Sequence, residues 1–146
     1  MEIRKMTIDD YYDVYALWMS SRNMGFNDVD DSRDGIAKYL RRNPDTSFVA
    51  YNDGELAGVI LGGHDGRRGF IHHACVRENC RRQGIGTKLV DTCIDAMKKE
   101  GISKVALVAF KYNEAGNDFW ESMGFTMRED LNYRNLALRE LIRIDT

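Results

Sequence analysis

The stretch CRRQGIGTKLV places Arg81 and Arg82 beside Gly84 and Gly86, immediately before a run of helix-forming residues. The first backbone N–H groups of a helix have no partner within it, and the helix dipole adds partial positive charge there. The glycines let the backbone approach a bound group closely, and the arginines offer charge-assisted hydrogen bonds to phosphate oxygens. Thr87 adds a hydroxyl in the first turn. These residue types in this order predict an anion site that suits a diphosphate.

Two well-known diphosphate loops do not fit the same residues. The dinucleotide fingerprint GxGxxG requires a glycine or alanine where this chain has Leu89. The ATP-binding P-loop requires GxxxxGK followed by Ser or Thr, and GIGTK has only a superficial likeness to it. A plain tight turn is the simpler alternative, but it leaves the two adjacent arginines without a role.

Hydrophobic periodicity predicts the elements that hold this corner. Ile85, Leu89, Cys93 and Met97 recur every fourth residue, so the corner opens a helix (84–100) that Gly101 closes. Further helices are predicted for residues 8–19, 36–42 and 114–122, and strands for 1–6, 47–51, 55–62, 70–76, 104–110, 125–130 and 132–141. The apolar strand 104–110 is expected to be buried on both faces. This order predicts an α/β (α+β) fold, a mixed and mostly antiparallel sheet flanked by about four helices.

The composition is that of one ordinary globular domain spanning residues 1–146. With 43% hydrophobic and 30% charged residues and a net charge of −2, the chain has no global basic field to attract nucleic acid or an anionic membrane. Its N-terminus lacks the apolar core of a signal peptide, and no apolar stretch approaches the length of a bilayer span. Three cysteines, an odd and sparse set, are typical of a reducing compartment. We therefore expect a cytoplasmic protein.

Residues 72–87, HHACVRENCRRQGIGT, resemble the acetyl-CoA site of the GNAT superfamily of N-acetyltransferases. The family signature R/Q-x-x-G-x-G/A follows a strand that ends in a short apolar triplet. Arg81, Gly84 and Gly86 fill the signature, and Ala74-Cys75-Val76 fill the triplet. A second patch, NEAGNDFWESMGF (113–125), is similar to the family's N-x-x-A-x-x-x-Y-x-x-x-G-F. The order of predicted elements also matches, so the resemblance covers essentially the whole chain.

This resemblance implies that acetyl-CoA is the co-substrate and that no metal takes part. Backbone N–H groups of the glycine corner would bind the pyrophosphate, and the edge of the apolar triplet would pair with the pantetheine arm. A backbone N–H near Cys75 or Val76 would polarise the thioester carbonyl, and Asn113 would hydrogen-bond the pantetheine end. The residues implied in cofactor binding are Ala74, Cys75, Val76, Arg81, Arg82, Gln83, Gly84, Ile85, Gly86, Thr87, Asn113, Gly116 and Phe119.

The implied reaction is direct attack of an amine on the acetyl thioester, with coenzyme A leaving as a thiolate. An alkylamine is mostly protonated at pH 7, and neutralising it costs about 4.6 kcal/mol, so a general base matters. His72 and His73 are the titratable candidates on the cofactor strand. His72 is preferred because some arylalkylamine-acetylating relatives have a histidine there, although either residue also reads as a strand histidine without chemistry. The sequence leaves open which face of the strand each one occupies.

Two positions depart from the family pattern. The usual general acid is a tyrosine, but Trp120 stands in its place, and an indole N–H does not serve as an acid. Tyr112 and Tyr133 are candidate substitutes whose hydroxyls the sequence does not position. The glutamate base of peptide-acetylating relatives is replaced by Val108, which weakens a peptide or ribosomal-protein assignment.

The expected function is therefore N-acetylation of a small-molecule amine. The alternatives are a protein or peptide N-acetyltransferase, a non-catalytic acyl-CoA-binding or sensing domain, and a zinc module made of His72, His73, Cys75 and Cys80. The zinc spacing lacks a matching second pair, and a strand sends alternate residues to opposite faces.

The acceptor side and the oligomeric state are less defined. A loop carrying Asp28, Asp30, Asp31 and Asp34 borders the acceptor site in the family and would suit a cationic amine. The plainer interpretation is that these charges favour a helix N-terminus. Relatives often dimerise, so a homodimer is kept as an open expectation.

Overall fold

The computed structural model describes residues 1–146 and contains strands, four α-helices and two single-turn 3-10 helices. The strands are β1 (Glu2–Lys5), β2 (Gly25–Asn27), β3 (Phe48–Asn52), β4 (Glu55–His64), β5 (Gly69–Val76), β6 (Val105–Leu107) and β7 (Arg143–Asp145). The helices are α1 (Tyr11–Ser20), α2 (Arg33–Arg42), α3 (Ile85–Lys99) and α4 (Glu114–Ser122), and the 3-10 turns are Ile8–Asp10 and Glu78–Cys80.

Five of the strands form one sheet in the order β1-β3-β4-β5-β6. Neighbours from β1 to β5 pair antiparallel, whereas β5 and β6 are parallel. β2 and β7 pair antiparallel in a separate two-stranded sheet. The predicted fold, a mixed and mostly antiparallel sheet with four helices, is confirmed. None of the helices combines the length and the apolar character that a membrane crossing requires.

The core has two layers on either side of β4, whose residues from Leu56 to Gly63 are all buried. Apolar side chains of α1 and α2 pack on one face of the sheet, among them Val14, Leu17, Trp18, Ile36 and Leu40. Side chains of α3 pack on the other face, namely Ile85, Leu89, Val90, Cys93 and Met97. The fourfold repeat predicted for α3 is therefore its buried face. Each such side chain contributes about 1.5–3 kcal/mol through burial.

Two adjacent glycines let helices approach β4 from both faces. A Cβ on Gly62 would lie 2.6 Å from the Cys93 Sγ of α3, and a Cβ on Gly63 would lie 2.6 Å from the Tyr39 Oη of α2. Larger residues would push these helices away from the strand. As a consequence, the Tyr39 hydroxyl is buried without a hydrogen-bond partner. Burial raises the pKa of Tyr39 above its ordinary value, so the hydroxyl stays neutral.

Local signals for turns and helix ends are confirmed. In the turn between β3 and β4, Asp53 has φ +49° and Gly54 has φ +78°, the left-handed pair that a two-residue hairpin requires. The Thr7 N–H donates to Asp10 Oδ2 at 2.9 Å, as the predicted capping pattern implies. Gly101 follows α3 with φ +76°, typical of a helix C-terminus.

The strands predicted for 125–130 and 132–141 are wrong. Between Phe125 and Ile142 the chain forms neither helix nor strand, and Leu136 and Leu138 are 82% and 92% exposed. Their alternation with polar residues is the pattern of a half-buried strand, but a strand forms only where the edge of another strand is available for pairing. The last strand is instead the short β7, and its partner β2 was not predicted because three residues carry too little periodicity.

The strand predicted for 104–110 is confirmed only from Val105 to Leu107. It is half-buried instead of buried on both faces, because β6 is an edge strand of the sheet. The same loose packing extends to the end of the chain, since no residue after Met97 is buried.

Removing the Tyr39 hydroxyl should not weaken the protein. Tyr39→Phe is expected to leave the free energy of unfolding unchanged or to raise it by up to about 1 kcal/mol, because a buried unpaired hydroxyl is lost. Tyr11→Phe is the matched control. The Tyr11 hydroxyl donates to Asp31 O at 2.7 Å, so its loss should cost about 1–2 kcal/mol. Urea unfolding measures both variants. A destabilised Tyr39→Phe protein would contradict the expectation.

Candidate functional site

The N-terminus of α3 presents backbone N–H groups that the protein itself does not use. The first intrahelical hydrogen bond runs from the Lys88 N–H to Gly84 O at 3.0 Å, so the N–H groups of Ile85, Gly86 and Thr87 precede it. No side chain caps this end of the helix. Uncapped donors at the positive end of a 15-residue helix are suited to bind an anion.

The approach to α3 is a turn with two left-handed residues, Arg82 at φ +63° and Gly84 at φ +79°. The Arg81 Nε–H donates to Val76 O at 3.2 Å, which holds this guanidinium beside the end of β5. Arg81, Arg82, Gln83, Gly84 and Thr87 are exposed, so the two cations and the Thr87 hydroxyl are accessible to a ligand.

The last part of β5 has an open edge. Pairing between β5 and β6 stops at Ile71 and Leu107, whereas β5 continues to Val76 and pairs with β4 to its end. The triplet Ala74-Cys75-Val76 therefore has a strand on one side only. An extended ligand arm with amide groups can bind such an edge as an additional strand would.

α4 closes the other side of this opening. A Cβ on Gly86 would lie 3.4 Å from Phe119 Cζ and 3.6 Å from Val76 Cγ2, so α3, α4 and the end of β5 meet at one point. Asn113 caps α4, with its Oδ1 accepting from the Gly116 N–H at 3.0 Å. A Cβ on Gly116 would lie 2.4 Å from Asn113 Nδ2, so a larger residue there would shift the Asn113 side chain. The predicted cofactor residues on β5, α3 and α4 thus surround a single opening.

β5 contains an extra residue that the sequence analysis did not anticipate. Between the pairs Val59–Cys75 and Leu61–His72, β5 advances three residues while β4 advances two. His73 lies in this bulge with φ +49°, a left-handed conformation that is uncommon for a non-glycine residue.

Because of the bulge, two consecutive histidines face the same layer of helices. His72 packs against Tyr39 of α2, with ring centroids 6.1 Å apart, and His73 packs against Trp18 of α1 at 5.1 Å. Ala74 and Val76 pack on the opposite face with α3. A regular strand would have placed only one of the two histidines on the α1–α2 face. No pattern in the sequence signals this exception.

His72 is suited to accept a proton at neutral pH. The residue is exposed and its side chain makes no hydrogen bond, and its ring packs at a tilt against Phe70, with ring centroids 4.6 Å apart. Desolvation by the surrounding groups and then the neighbouring His73 lower the pKa of His72, while Asp31 and Asp30 oppose this effect. The ring therefore stays neutral at pH 7 and keeps a free nitrogen for a ligand.

His73 is instead held by the protein. Its Nε2 and Asp31 Oδ1 are 2.7 Å apart, and its carbonyl oxygen accepts from the Trp18 Nε1–H at 3.2 Å. The side chains of His73 and Asp31 are only 17% and 9% exposed. This contact joins β5 to the loop before α2 across 42 residues of sequence.

The acidic loop has several different roles. Asp31 holds His73, while Asp28 Oδ1 accepts from the Ile142 N–H at 2.7 Å and so links the loop to the C-terminal segment. Asp30 Oδ2 accepts from Asn27 Nδ2 at 2.9 Å. Only Asp34 lies in the first turn of a helix, as the simpler interpretation had it. The loop is thus a hydrogen-bonded unit beside the two histidines.

The tyrosines considered as acids lie at the surface. Tyr133 is 70% exposed in the segment between Phe125 and Ile142, and its hydroxyl has no hydrogen bond. Tyr112 is 63% exposed and stacks on Phe110 at 5.0 Å. Trp120 packs edge-on against Phe119.

Other reactive groups and cavities do not alter this description. Burial raises the pKa of Cys75 to about 11, so this thiol is protonated at neutral pH and is a poor nucleophile. No three His, Cys, Asp or Glu side chains lie together in a way that would hold a metal ion. A surface cavity of about 620 Å³ lies at the β1–β3 edge beside Arg4 and Tyr51, away from the opening beside β5.

Comparisons of the sequence point to one family. A family model described as "Acetyltransferase (GNAT) family" matches residues 11–125. An acetyltransferase of Photorhabdus laumondii is 33% identical over 145 residues, which cover 99% of this chain and 98% of that protein. An acetyltransferase of Sodalis glossinidius is 30% identical over 131 residues, covering 90% of this chain and 91% of that protein.

Solved structures share the fold. The PaiA N-acetyltransferase of Thermoplasma acidophilum, solved with coenzyme A, has a TM-score of 0.74 and 18% identity over 87% of this chain and 90% of that one. An aminoglycoside acetyltransferase from an uncultured soil metagenomic sample has a TM-score of 0.72 and 20% identity, over 94% of this chain and 96% of that one. A ribosomal-protein-alanine N-acetyltransferase of Brucella melitensis has a TM-score of 0.67 and 21% identity, over 93% of this chain and 98% of that one.

A substitution at Gly84 tests the anion site. Gly84→Asp should lower the affinity for coenzyme A by about 100-fold, because a carboxylate at the start of α3 repels a diphosphate and opposes its charge-assisted hydrogen bonds. Gly54→Asp is the matched control. Gly54 has φ +78° and Gly84 has φ +79°, and a Cβ at either position has no neighbour within 4 Å. Both variants therefore carry equal backbone strain and one added charge.

Calorimetric titration of coenzyme A into both variants and the wild type gives the result. Loss of binding in Gly84→Asp alone is expected. Equal affinities in the two variants would show that the start of α3 does not bind the diphosphate.

Proposed function

Because this chain belongs to the GNAT acetyltransferase family and is an acyltransferase, we propose that it transfers the acetyl group of acetyl-CoA to the amine of a small molecule. The opening bounded by the end of β5, the start of α3 and α4 carries this proposal. It combines uncapped helix donors, two arginines and a free strand edge, which suit in turn a diphosphate and an amide-containing arm. Acetyl-CoA supplies both groups together with the reactive thioester.

Each wall of the opening has its own part in the proposal. The N–H groups of Ile85 to Thr87 bind the pyrophosphate, with Arg81 and Arg82 beside it. The edge from Ala74 to Val76 aligns the pantetheine arm, and an N–H at Cys75 or Val76 polarises the carbonyl. Asn113 already uses its Oδ1 as a helix cap, so its Nδ2 is the group that donates to the arm.

His72 is the general base in this proposal. It lies on the same strand as the triplet, and its lowered pKa keeps the ring neutral at pH 7, so that one ring nitrogen is available to accept a proton from an incoming ammonium group. The loop with Asp30 lies within electrostatic range of His72 and favours a cationic amine. The amine nitrogen then forms the new C–N bond as the C–S bond breaks, and the electron pair leaves on sulfur. The acylated nitrogen loses its second proton to water or to the departing thiolate, which leaves a neutral amide.

No general acid is assigned for the departing thiolate. At pH 7, protonation of a thiol of ordinary pKa gains only about 2 kcal/mol, so assistance matters less than removal of the amine proton. Trp120 lacks an acidic proton, and Tyr133 is exposed without a hydrogen bond. The protonated Cys75 thiol argues for direct transfer without a covalent acyl-enzyme.

A small-molecule acceptor is favoured over a peptide for two reasons. Peptide-acetylating relatives use a glutamate where this chain has Val108, which is 56% exposed at the edge of the sheet. The proposed base is a histidine that packs beside the rings of Phe70 and Tyr39 and lies near the carboxylates of the acidic loop. Proteins of both substrate classes share the fold, so the acceptor has to be measured.

The proposal extends to the chain as a whole. Residues 1–146 act as one N-acetyltransferase domain in the cytoplasm, where all three cysteines remain free thiols, as they are in the structure.

A thiol-release assay tests the reaction. Wild type with acetyl-CoA should release free thiol in the presence of one or more small cationic amines, and more slowly or not at all with peptides that have free N-termini. Turnover on peptides alone would assign the protein to the peptide-acetylating group. Coenzyme A binding without turnover on any amine or peptide would contradict the proposal.

Replacing the proposed base should change the pH profile. The logarithm of kcat/KM for wild type should fall on the acid side with an apparent pKa below 6.5, because the surroundings lower the pKa of His72. His72→Ala should reduce kcat/KM by about 10²–10⁴-fold and remove that acid limb, while the affinity for acetyl-CoA stays nearly unchanged. His64→Ala is the control, since His64 is the last residue of β4 and binds Glu100 at the C-terminal end of α3. An unchanged profile in His72→Ala would refute the assignment.

A further inference from the structure

We propose that His73 is a positioning residue, whose contact with Asp31 holds the bulge in β5 and thereby directs His72 toward the acceptor. This inference rests on the proposed role of His72 as base. It concerns a neighbour that the reaction itself does not require, and it explains why two adjacent strand histidines face the same way.

The bulge decides where His72 points. Ile71, Ala74 and Val76 pack on the α3 face of the sheet, and Cys75 packs on the α1–α2 face. Strict alternation back from Ala74 would place His72 on the α3 face as well. The extra residue at His73 reverses this, and His72 instead packs beside Tyr39 of α2. A one-residue slip in β5 would therefore remove the proposed base from the acceptor side.

The bulge carries a conformational cost that other contacts must offset. The left-handed region is unfavourable for a non-glycine residue, because Cβ approaches the following carbonyl oxygen too closely, and His73 has φ +49°. Three groups hold it there. Its ring nitrogen meets Asp31 Oδ1 at 2.7 Å, its carbonyl oxygen accepts from Trp18, and its ring packs at 4.5 Å on Phe26 of β2.

Asp31 is itself firmly held. Its Oδ2 accepts from the Asn27 N–H at 2.9 Å, and its carbonyl oxygen accepts from the Tyr11 hydroxyl at 2.7 Å. Asp31 is 7% exposed, so its contact with His73 is well shielded from water. A rigid acceptor on the loop can thus hold a strained residue on the strand, and the contact joins the acceptor-side loop to the cofactor strand.

Two substitutions separate the Asp31 contact from other properties of His73. His73→Gln and His73→Asn both replace the imidazole with an amide and remove its charge. Only the glutamine side chain is long enough for its Nε2–H to reach Asp31 as the histidine does. Asparagine tolerates the left-handed conformation better than glutamine. If backbone strain alone mattered, asparagine would be the better replacement, whereas the proposal predicts the opposite order.

The first readout does not depend on enzyme activity. Proton–proton NOEs between the rings of His72 and Tyr39 report whether both lie on the same face of the sheet. These NOEs should persist in wild type and in His73→Gln, and should disappear in His73→Asn. Asp31→Asn keeps His73 but has a single amide oxygen in place of the two carboxylate oxygens that serve His73 and the Asn27 N–H, so it should also lose them. This variant preserves the test if His73→Asn fails to fold.

The second readout is kinetic. In His73→Asn, kcat should fall by about 10²-fold, the usual effect of a base displaced by about 1 Å or more, while the dissociation constant of coenzyme A stays unchanged. His73→Gln should restore most of kcat. A wild type inactive toward every amine would refute the proposed function and leave the NOE comparison to decide the positioning role. Retained NOEs in both His73→Asn and Asp31→Asn, or equal losses in His73→Asn and His73→Gln, would overturn it.

Discussion

One extra residue in β5 is the constraint on which the candidate site depends. Upstream of it, β5 is an ordinary interior strand, paired with β4 on one edge and with β6 on the other. Downstream of it, only β4 remains as a partner, because β6 ends at Leu107, opposite Ile71. The facing of His72, beside this open edge, follows from the extra residue. A left-handed residue with a buried carboxylate partner maintains it.

The parts of the molecule that sequence could predict are those with local causes. The glycine corner, the Asp53–Gly54 hairpin and the fourfold repeat of α3 each lie within a few residues, and each appears where it was expected. The assumption of alternation failed for His72 and His73, because a bulge leaves no mark in the hydrophobic pattern. The pairing of Asp31 with His73 joins segments that are distant in the sequence. The sequence showed Asp31 only as one of several acidic residues in a loop and gave no sign of its partner.

The errors near the C-terminus have a related cause. An alternating pattern such as that around Leu136 describes a surface suited to a strand, and pairing needs a free edge at the right place as well. Here the C-terminal segment instead pairs with the three residues of β2 through β7, and the Ile142 N–H donates to Asp28 just before that pairing begins. Charges are also separated along β5. The arginines lie at its C-terminal end and the acidic loop lies beside its middle, so an anionic donor and a cationic acceptor would meet the strand at different points.

The opening beside β5 has two halves that differ in how well they are packed, because no residue after Met97 is buried. β5 and α3 belong to the packed part of the molecule, while α4 carries Asn113 and Phe119 and packs on it only through partly buried side chains. We therefore expect opening of α4 to cost less than global unfolding. A ligand that contacts both halves would stabilise α4 against opening, and part of its binding free energy would be used to order that helix. Transient detachment of α4 would then offer a spent coenzyme an exit that leaves the core intact.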